Sequence, residues 1–353
     1  MLEHDVKQFS SDKILKHLDR VNEWLAGGNP FPITVEMDMT NVCSHKCPEC
    51  VVNYFREDNA DRLPRALAER IITELAEGGV RGLIFTGGGD PLCHRDTPDM
   101  MALAASKGID VALITNGSLL TEPIMEVALR HCMWIRVSLD CITPATFKLM
   151  HGLPEEDFRK VIANIKTLAA MKRHLGSRAT VGVGFLTCAA TENEMVEAAR
   201  QAKDWGVDYL QYRPLQIHRG GKFEYDWFEV EDLINQAVQY SGDGYEVLYS
   251  KHKYESIKRQ DYGRDYPECL GHQFASTIAA DGKVYICCHT RGYEKYCLGN
   301  LHEHSFHEIW NGEERRKAIG RIDFKDCIPL CRDNTFNQIL WKIKQPREHE
   351  NFL

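Results

Sequence analysis

Three cysteines, Cys43, Cys47 and Cys50, stand at x3 and x2 spacing directly after a short apolar run over residues 33–39. One tight loop can bring three thiolates of this spacing together. A cubane iron–sulfur cluster has four irons, so three cysteines leave one iron without a protein ligand, and that iron can bind a small molecule. The alternative is a structural zinc site, which takes a closed set of four ligands and would use His45 inside the loop as the fourth.

The composition bounds the class of protein. At 353 residues the chain suits one large domain plus a smaller one, and a hydrophobic fraction of 43% allows a buried core. No run of 18 apolar residues appears, and the N-terminus lacks the layout of a signal peptide, so we expect a cytoplasmic protein without a membrane span. In a reducing compartment, 13 cysteines indicate metal ligation rather than disulfides. A net charge of −8 gives no overall basic field, which argues against a nucleic-acid partner.

From residue 33 onward, strand patterns alternate with helix patterns. This order predicts right-handed βαβ crossovers and a parallel sheet. A helix is also predicted over residues 10–27, before the first strand. The six predicted strands span residues 33–38, 82–86, 110–115, 134–139, 180–187 and 208–213, and the helices between them span 64–78, 97–107, 121–131, 155–174 and 191–205.

The C-x3-C-x2-C spacing after a first strand resembles the cluster motif of the radical S-adenosylmethionine (SAM) superfamily. The resemblance implies an α/β fold, a partial (β/α)6 barrel with its chemistry at the C-terminal ends of the strands. It also implies that the open iron binds the amino and carboxylate groups of SAM. Reductive cleavage would then give a 5′-deoxyadenosyl radical that abstracts hydrogen from the substrate. The family usually has an aromatic residue before the last cysteine, where this chain has Glu49.

Several predicted strand ends match the family's SAM-binding positions. After the second strand, Gly87, Gly88, Gly89 and Asp90 resemble the family's Gly-Gly-Glu-Pro motif with Asp in place of Glu, and would hold the SAM amino group. Arg159 would pair with the SAM carboxylate or, alternatively, face solvent on its helix. The other candidates for contacts to SAM or substrate are Asn116, Ser138, Asp140, Gln211 and Arg213.

A second set of cysteines lies in the C-terminal part. Asp281-Gly282 between two strand-like runs predicts a β-hairpin that brings Cys269 and Cys287 towards each other. Cys327 and Cys331 supply two more thiolates from a later loop. Four cysteines from three segments can hold either zinc or a cubane cluster.

Cys269-x12-Gly282-x4-Cys287 resembles the signature of the SPASM and twitch extensions of radical SAM enzymes, which favours the cluster. No cysteine lies between residues 311 and 326 or after Cys331, so the twitch form with one auxiliary [4Fe–4S] cluster is the better match. Cys288 or Cys297 could replace one ligand. The expected organisation is a helical segment over 1–29, the barrel over 30–225, a connector over 226–265 and the twitch/SPASM-type domain over 266–345.

The resemblance implies a radical SAM oxidoreductase that needs a reducing partner such as flavodoxin or ferredoxin. An electron carrier or a zinc-stabilised binding module would not need the SAM-binding strand ends. Cys93 and Cys141 follow strand-end motifs and are candidate hydrogen-atom donors. Only 42 residues precede Cys43, which leaves no room for a peptide-recognition domain. We therefore expect oxidation of a small polar metabolite of the sugar, cyclitol or nucleoside type, with modification of a peptide or protein as the alternative.

Overall fold

A computed structural model describes residues 10–56, 59–219, 222–226, 228–346, 348–349 and 351. Its strands are β1 (Thr34–Asp38), β2 (Gly82–Thr86), β3 (Asp110–Thr115), β4 (Cys132–Ser138), β5 (Thr180–Thr187), β6 (Tyr209–Pro214), β7 (Gln216–Arg219), β8 (Lys222–Tyr225), β9 (Glu246–Leu248), β10 (Ala275–Ile278), β11 (Lys283–Tyr285) and β12 (Cys297–Asn300). Its helices are α1 (Leu18–Leu25), α2 (Asn53–Arg56), α3 (Arg65–Glu77), α4 (Thr97–Ser106), α5 (Glu122–His131), α6 (Pro144–His151), α7 (Glu155–Leu175), α8 (Met195–Trp205), α9 (Glu231–Val238), α10 (Lys251–Arg259), α11 (Phe306–Asn311), α12 (Glu313–Gly320) and α13 (Asn334–Lys344).

Strands β1 to β6 pair in parallel and in chain order, as in a partial (β/α)6 barrel. The predicted α/β fold with a parallel sheet is therefore confirmed, and the predicted strands and intervening helices agree with the structure to within a few residues. Helix α7 shows why the pattern was readable. Phe158, Val161, Ile165 and Leu168 fall on one face of α7 and are buried.

The sheet is larger than the six predicted strands. β9 pairs in parallel with β6 at one edge, and β10 pairs in parallel with β1 at the other. The predicted hairpin is present: β10 and β11 are antiparallel, and Gly282 has a φ of +81° in the turn between them. β12 completes a ten-stranded sheet in the order β12-β11-β10-β1-β2-β3-β4-β5-β6-β9. The C-terminal region therefore extends the sheet of the barrel.

The predicted helix over residues 10–27 is interrupted. Residues Ser11–Lys16 form a 3-10 segment, and α1 begins only after His17, whose φ and ψ of −120° and 46° are not helical. Ile14 and Val21 pack with Phe274 and Leu340 in a small apolar cluster of their own. None of the helices in the described ranges is long and apolar enough to cross a membrane.

Candidate active site

The loop that carries Cys43, Cys47 and Cys50 follows β1 and is fixed at both ends and in the middle. At its start, the Thr40 hydroxyl donates to the Asp61 carbonyl at 3.0 Å. In the middle, the Lys46 amide donates to the carbonyl of His151, the last residue of α6, at 3.0 Å. At its end, Asn53 at the start of α2 donates through Nδ2 to the Cys47 carbonyl at 3.2 Å. Three separate segments therefore hold the loop at the C-terminal edge of the sheet.

The three loop thiols are partly exposed, and none is in a disulfide. Asn116 at the end of β3 places its Nδ2 atom 3.7 Å from Cys43 Sγ. Three partly exposed thiols of one loop fit a cubane cluster that keeps one iron for another ligand.

The zinc alternative can be examined at His45. The ligand atoms of His45, Cys47 and His151 lie within 4.8 Å of one another, a spacing that could hold a metal ion. However, both ring nitrogens of His45 already have polar neighbours: Nε2 lies 2.6 Å from Ser118 Oγ, and Nδ1 lies 3.2 Å from His151 Nδ1. Burial, helped by His151, lowers the pKa of His45 to about 3, which keeps this ring neutral, and a neutral imidazole can also bind a metal. We assign His45 to the packing of the loop on its two polar neighbours alone.

The glycine-rich turn after β2 lies directly against the cysteine loop. The Gly89 amide donates to the Thr40 carbonyl at 2.9 Å, and the Asp90 amide donates to the Val42 carbonyl at 3.0 Å. A Cβ atom at position 89 would lie only 2.0 Å from the Val42 oxygen. Glycine is therefore required at this position for the contact between the two loops.

The Asp90 carboxylate, which the sequence suggests for the SAM amino group, is buried and already engaged. It accepts hydrogen bonds from the Leu92 amide at 2.9 Å, the Thr115 hydroxyl at 2.9 Å and the Asn116 amide at 2.7 Å. These bonds tie the turn after β2 to the end of β3. The Asp90 side chain thus positions Asn116.

The candidates after β4 have different placements. Ser138 pairs in register with Gly184 of β5. Asp140 is buried with a φ of +62°, and its Oδ1 atom lies 3.7 Å from Arg213 Nη2. Burial raises the pKa of Asp140, and Arg213 opposes the rise. The Arg159 side chain, in contrast, is 71% exposed on α7 and pairs with Glu155 at 2.8 Å. It faces solvent, which is the alternative placement given for it in the sequence analysis.

A buried charged cluster that the sequence reading missed joins β1 to the C-terminal region. Arg291 lies 2.7 Å through Nε from Asp38 Oδ2 and 3.4 Å through Nη2 from Glu36 Oε2. Arg332 pairs with the other Glu36 oxygen. Burial raises the pKa of Asp38 to about 7, against the opposing effect of Arg291. The available signal was two acids at alternate positions in a strand of a parallel sheet, where apolar residues are the norm.

The four predicted auxiliary ligands are close enough to act on one another electrostatically. Burial raises the pKa of Cys269 to about 11, and Cys327 contributes to the rise. The pKa of Cys331 is raised by burial, with Cys269 contributing, and the pKa of Cys287 is raised first by its hydrogen bond with Cys288, with Cys331 contributing. A group of four thiols from three segments fits a fully ligated iron–sulfur cluster.

The remaining cysteines are placed as follows. Cys288 is hydrogen-bonded to Cys287, whereas the Cys297 thiol lies 3.6 Å from the Gly299 carbonyl on β12. Cys93 is partly buried near Cys43, and burial raises the pKa of Cys93 to about 11. Cys141 is fully buried in the core, and its thiol donates to the Leu139 carbonyl at 3.4 Å.

Comparisons with known proteins agree with this architecture. Residues 37–202 match the radical SAM superfamily, and residues 269–333 match the SPASM iron–sulfur cluster-binding domain. The AdoMet-dependent heme synthase of Methanosarcina barkeri is 25% identical over 85% of this chain and 88% of its own. A PqqA peptide cyclase of Xanthomonas oryzae is 24% identical over 81% and 76%. The structure of Streptococcus suis SuiB bound to S-adenosylmethionine superposes with a TM-score of 0.65 at 14% identity, over 85% of this chain and 71% of SuiB.

The chain belongs to the radical SAM superfamily and is a radical SAM enzyme with a C-terminal SPASM/twitch domain. The radical SAM domain implies a [4Fe–4S] cluster and SAM, and the SPASM domain implies auxiliary iron–sulfur chemistry.

Proposed function

We propose that this enzyme uses SAM to abstract a hydrogen atom from a peptide or protein substrate and so modifies one of its residues. The radical chemistry is carried by one observation: three partly exposed thiols lie at the C-terminal edge of a parallel sheet, with a glycine-rich turn hydrogen-bonded to their loop. The peptide substrate is supported by the PqqA peptide cyclases, which match along most of the chain. It takes precedence over the small polar metabolite expected from the sequence.

In this proposal, Cys43, Cys47 and Cys50 hold the first [4Fe–4S] cluster. When bound and reduced, that cluster would supply the electron for the reductive cleavage of SAM. Backbone carbonyls of the turn over residues 87–90 accept from the SAM ammonium group. Asn116 and Ser138 offer an amide and a hydroxyl to the rest of SAM. These residues bind and orient SAM.

We assign Cys269, Cys287, Cys327 and Cys331 to one auxiliary [4Fe–4S] cluster. The cysteines from three chain segments order the C-terminal domain around it. A small reducing protein such as flavodoxin or ferredoxin completes the system as the electron source, in a cytoplasmic setting.

Substrate class is tested with anaerobically reconstituted enzyme, SAM and dithionite. We expect substrate-dependent formation of 5′-deoxyadenosine with peptides encoded near the gene, and no stimulation by a panel of sugars, cyclitols and nucleosides. Deuterium transfer from labelled peptide into deoxyadenosine would locate the abstracted hydrogen. Stimulation by the metabolite panel alone would contradict the peptide proposal, and intact SAM under all conditions would contradict radical chemistry.

Cluster assignment is tested by iron content and absorption near 400 nm. Two cubanes predict about eight irons per chain. Replacing Cys43, Cys47 and Cys50 by alanine should leave about four, as should replacing the four auxiliary cysteines. Cys132→Ala, at a buried core cysteine whose thiol lies 3.7 Å from Met101 Sδ, is the matched control and should keep all of them.

A further inference from the structure

Two arginines converge over a glycine inside the barrel. Arg136 lies on β4 and Arg213 on β6, and the strand between them, β5, has Gly184 at the crossing point. A Cβ atom at Gly184 would lie 3.0 Å from Arg213 Nη2 and 3.7 Å from Arg136 Cδ. The missing side chain on β5 therefore leaves room for the Arg213 guanidinium and the aliphatic part of the Arg136 side chain to lie against the same part of β5.

The hydrogen-bonding capacity of these two groups is only partly used. Arg136 donates through Nη1 to Gln211 Oε1 at 3.1 Å, and Arg213 Nη2 lies 3.7 Å from Asp140 Oδ1. In the part of the chain that the structure describes, the buried Nε atoms of Arg136 and Arg213 have no hydrogen-bond acceptor. Buried guanidinium donors without acceptors are costly, so a ligand that supplies acceptors would be favoured here.

The two acids of β1 are paired with other arginines. Glu36 pairs with Arg332 and Arg291, and Asp38 pairs with Arg291. The positive charge around β5 is therefore in excess. Burial and then Arg213 lower the pKa of Arg136 to about 10, which still leaves it charged at neutral pH, and burial also lowers the pKa of Lys253, with Arg213 contributing.

We propose that Arg136 and Arg213 form a receptor for a carboxylate of the substrate, with the two guanidinium groups donating to its oxygens across Gly184. The planar fork of a guanidinium matches a carboxylate, and two forks on adjacent sides of one glycine fit its two oxygens. The inference rests on the proposed function in one respect, namely that the substrate binds inside the barrel. It defines the substrate as a peptide with a carboxylate close to the reacting C–H bond, on an Asp or Glu side chain or at the C-terminus.

The carboxylate of SAM is a second source of the same chemistry. The amino and carboxylate groups of SAM share one carbon, and the amino group is assigned to the turn after β2. Gly184 lies on β5, three strands further along the sheet, which is roughly 14 Å between strand axes at the usual spacing. That separation favours the substrate carboxylate, and the competition measurement below distinguishes the two sources.

The test measures binding, without turnover, on SAM-loaded reconstituted enzyme by equilibrium dialysis. The labelled probes are N-acetyl-glutamate N-methylamide, which has a side-chain carboxylate, N-acetyl-glutamine, which has an α-carboxylate, and the neutral N-acetyl-glutamine N-methylamide. We expect at least one acidic probe to bind at least tenfold more tightly than the neutral one. The better acidic probe identifies the position of the carboxylate in the substrate.

Arg136→Gln should weaken that acidic probe at least tenfold and Arg136→Lys by less. Arg130→Gln is the matched control, since it removes an exposed arginine of α5 that pairs with Glu126, and should change binding less than twofold. If Arg136→Gln does not fold, Gly184→Ala tests the same receptor by pushing Arg213 aside, and should also weaken the acidic probe at least tenfold.

Three results would overturn the proposal: equal binding of acidic and neutral probes, unchanged affinity in both the Arg136→Gln and Gly184→Ala variants, or competition between the acidic probe and SAM together with a tenfold loss of SAM affinity in Arg136→Gln. The last result would assign the pair to SAM. Failure of SAM cleavage in the turnover assay would contradict the proposed function without altering these binding ratios, so the two failures are distinguishable.

Discussion

Close contact between two loops makes Gly89 the most restricted position of the glycine-rich turn. The Cβ atom of an alanine at this position would lie 2.0 Å from the Val42 oxygen and 2.6 Å from the Asn41 carbonyl carbon. Backbone atoms cannot move aside as a flexible side chain would, so we expect Gly89→Ala to destabilise the protein by about 1–3 kcal/mol and to lower iron content.

Gly87→Ala is the control for that clash, since its Cβ atom would meet nothing closer than 3.4 Å. Its free energy of unfolding, measured in urea under anaerobic conditions, should stay within about 0.5 kcal/mol of wild type. Equal losses in the two variants would show that the glycines matter for a reason other than packing against the cysteine loop.

The raised pKa of Asp38 predicts how the stability of the protein depends on pH. Its pKa is raised from 3.8 to about 7 in the folded protein, mainly by burial. Between these values the folded state keeps the proton that the unfolded state releases, so the stability contributed by this group is complete below about pH 4 and is lost as the pH rises to about 7. The difference in unfolding free energy, wild type minus Asp38→Asn, should therefore fall across this window, by on the order of a few kcal/mol. A difference that is flat or rises with pH would refute the assignment.

At the scale of elements, the cysteine loop depends on the end of α6. Gly152 caps this helix with a φ of +66°, and a Cβ atom there would lie 2.5 Å from the Lys46 oxygen. Gly176 caps α7 in the same way, with a φ of +59°, but a Cβ atom there would have no neighbour within 4 Å. Both glycines have a left-handed backbone conformation, but only at Gly152 would an added Cβ atom clash with a neighbouring atom.

We expect Gly176→Ala to cost about 1 kcal/mol from the left-handed conformation alone. Gly152→Ala should cost more and should also reduce the iron bound by Cys43, Cys47 and Cys50, because it pushes on the middle of their loop. Chemical denaturation and iron content of both variants measure this. Normal iron content in Gly152→Ala would show that the loop does not need this contact.

The elements that the sequence revealed are those with a strong local period. α7 has a clear apolar face, and Asp281-Gly282 marks the hairpin by its turn chemistry alone. The parallel pairing of β9 with β6 and of β10 with β1 was missed because these strands have only three and four residues, too few to show a period. The partner of β10 also lies near the other end of the chain, and pairing at that distance leaves no mark on the local pattern.

The residues of the candidate site also divide into those that the sequence revealed and those that it did not. The cysteine sets were readable because spacing alone indicates ligation, whereas Arg136, Glu36 and Arg291 are single charged residues whose meaning depends on what faces them. The side-chain partners of Asp90 and the exposed placement of Arg159 likewise followed only from the fold.

At the scale of the whole molecule, the barrel and the C-terminal domain are held in one arrangement by a shared sheet and by buried charge. β10 continues the sheet beyond β1, and Arg291 from the C-terminal domain reaches both acids of β1. Arg291 is itself fixed by its backbone, since its carbonyl accepts from the Tyr54 hydroxyl at 2.5 Å next to the cysteine loop. The first cysteine loop and the auxiliary domain are thus connected through a few buried contacts.

This connection predicts non-additive energetics. Arg291→Met removes the cation closest to Asp38 and one of the cations next to Glu36. It should destabilise the protein by about 3–5 kcal/mol, because breaking a buried ion pair by removing one partner costs more than replacing both. Adding Asp38→Asn to Arg291→Met should recover part of that loss. The double variant should therefore lose less unfolding free energy than the two single variants lose in sum. Arg130→Met, at an exposed pair, should change stability by no more than about 0.5 kcal/mol. Urea unfolding of the four proteins of the cycle measures the coupling, and strict additivity would mean that the Arg291–Asp38 pair does not couple β1 to the C-terminal domain.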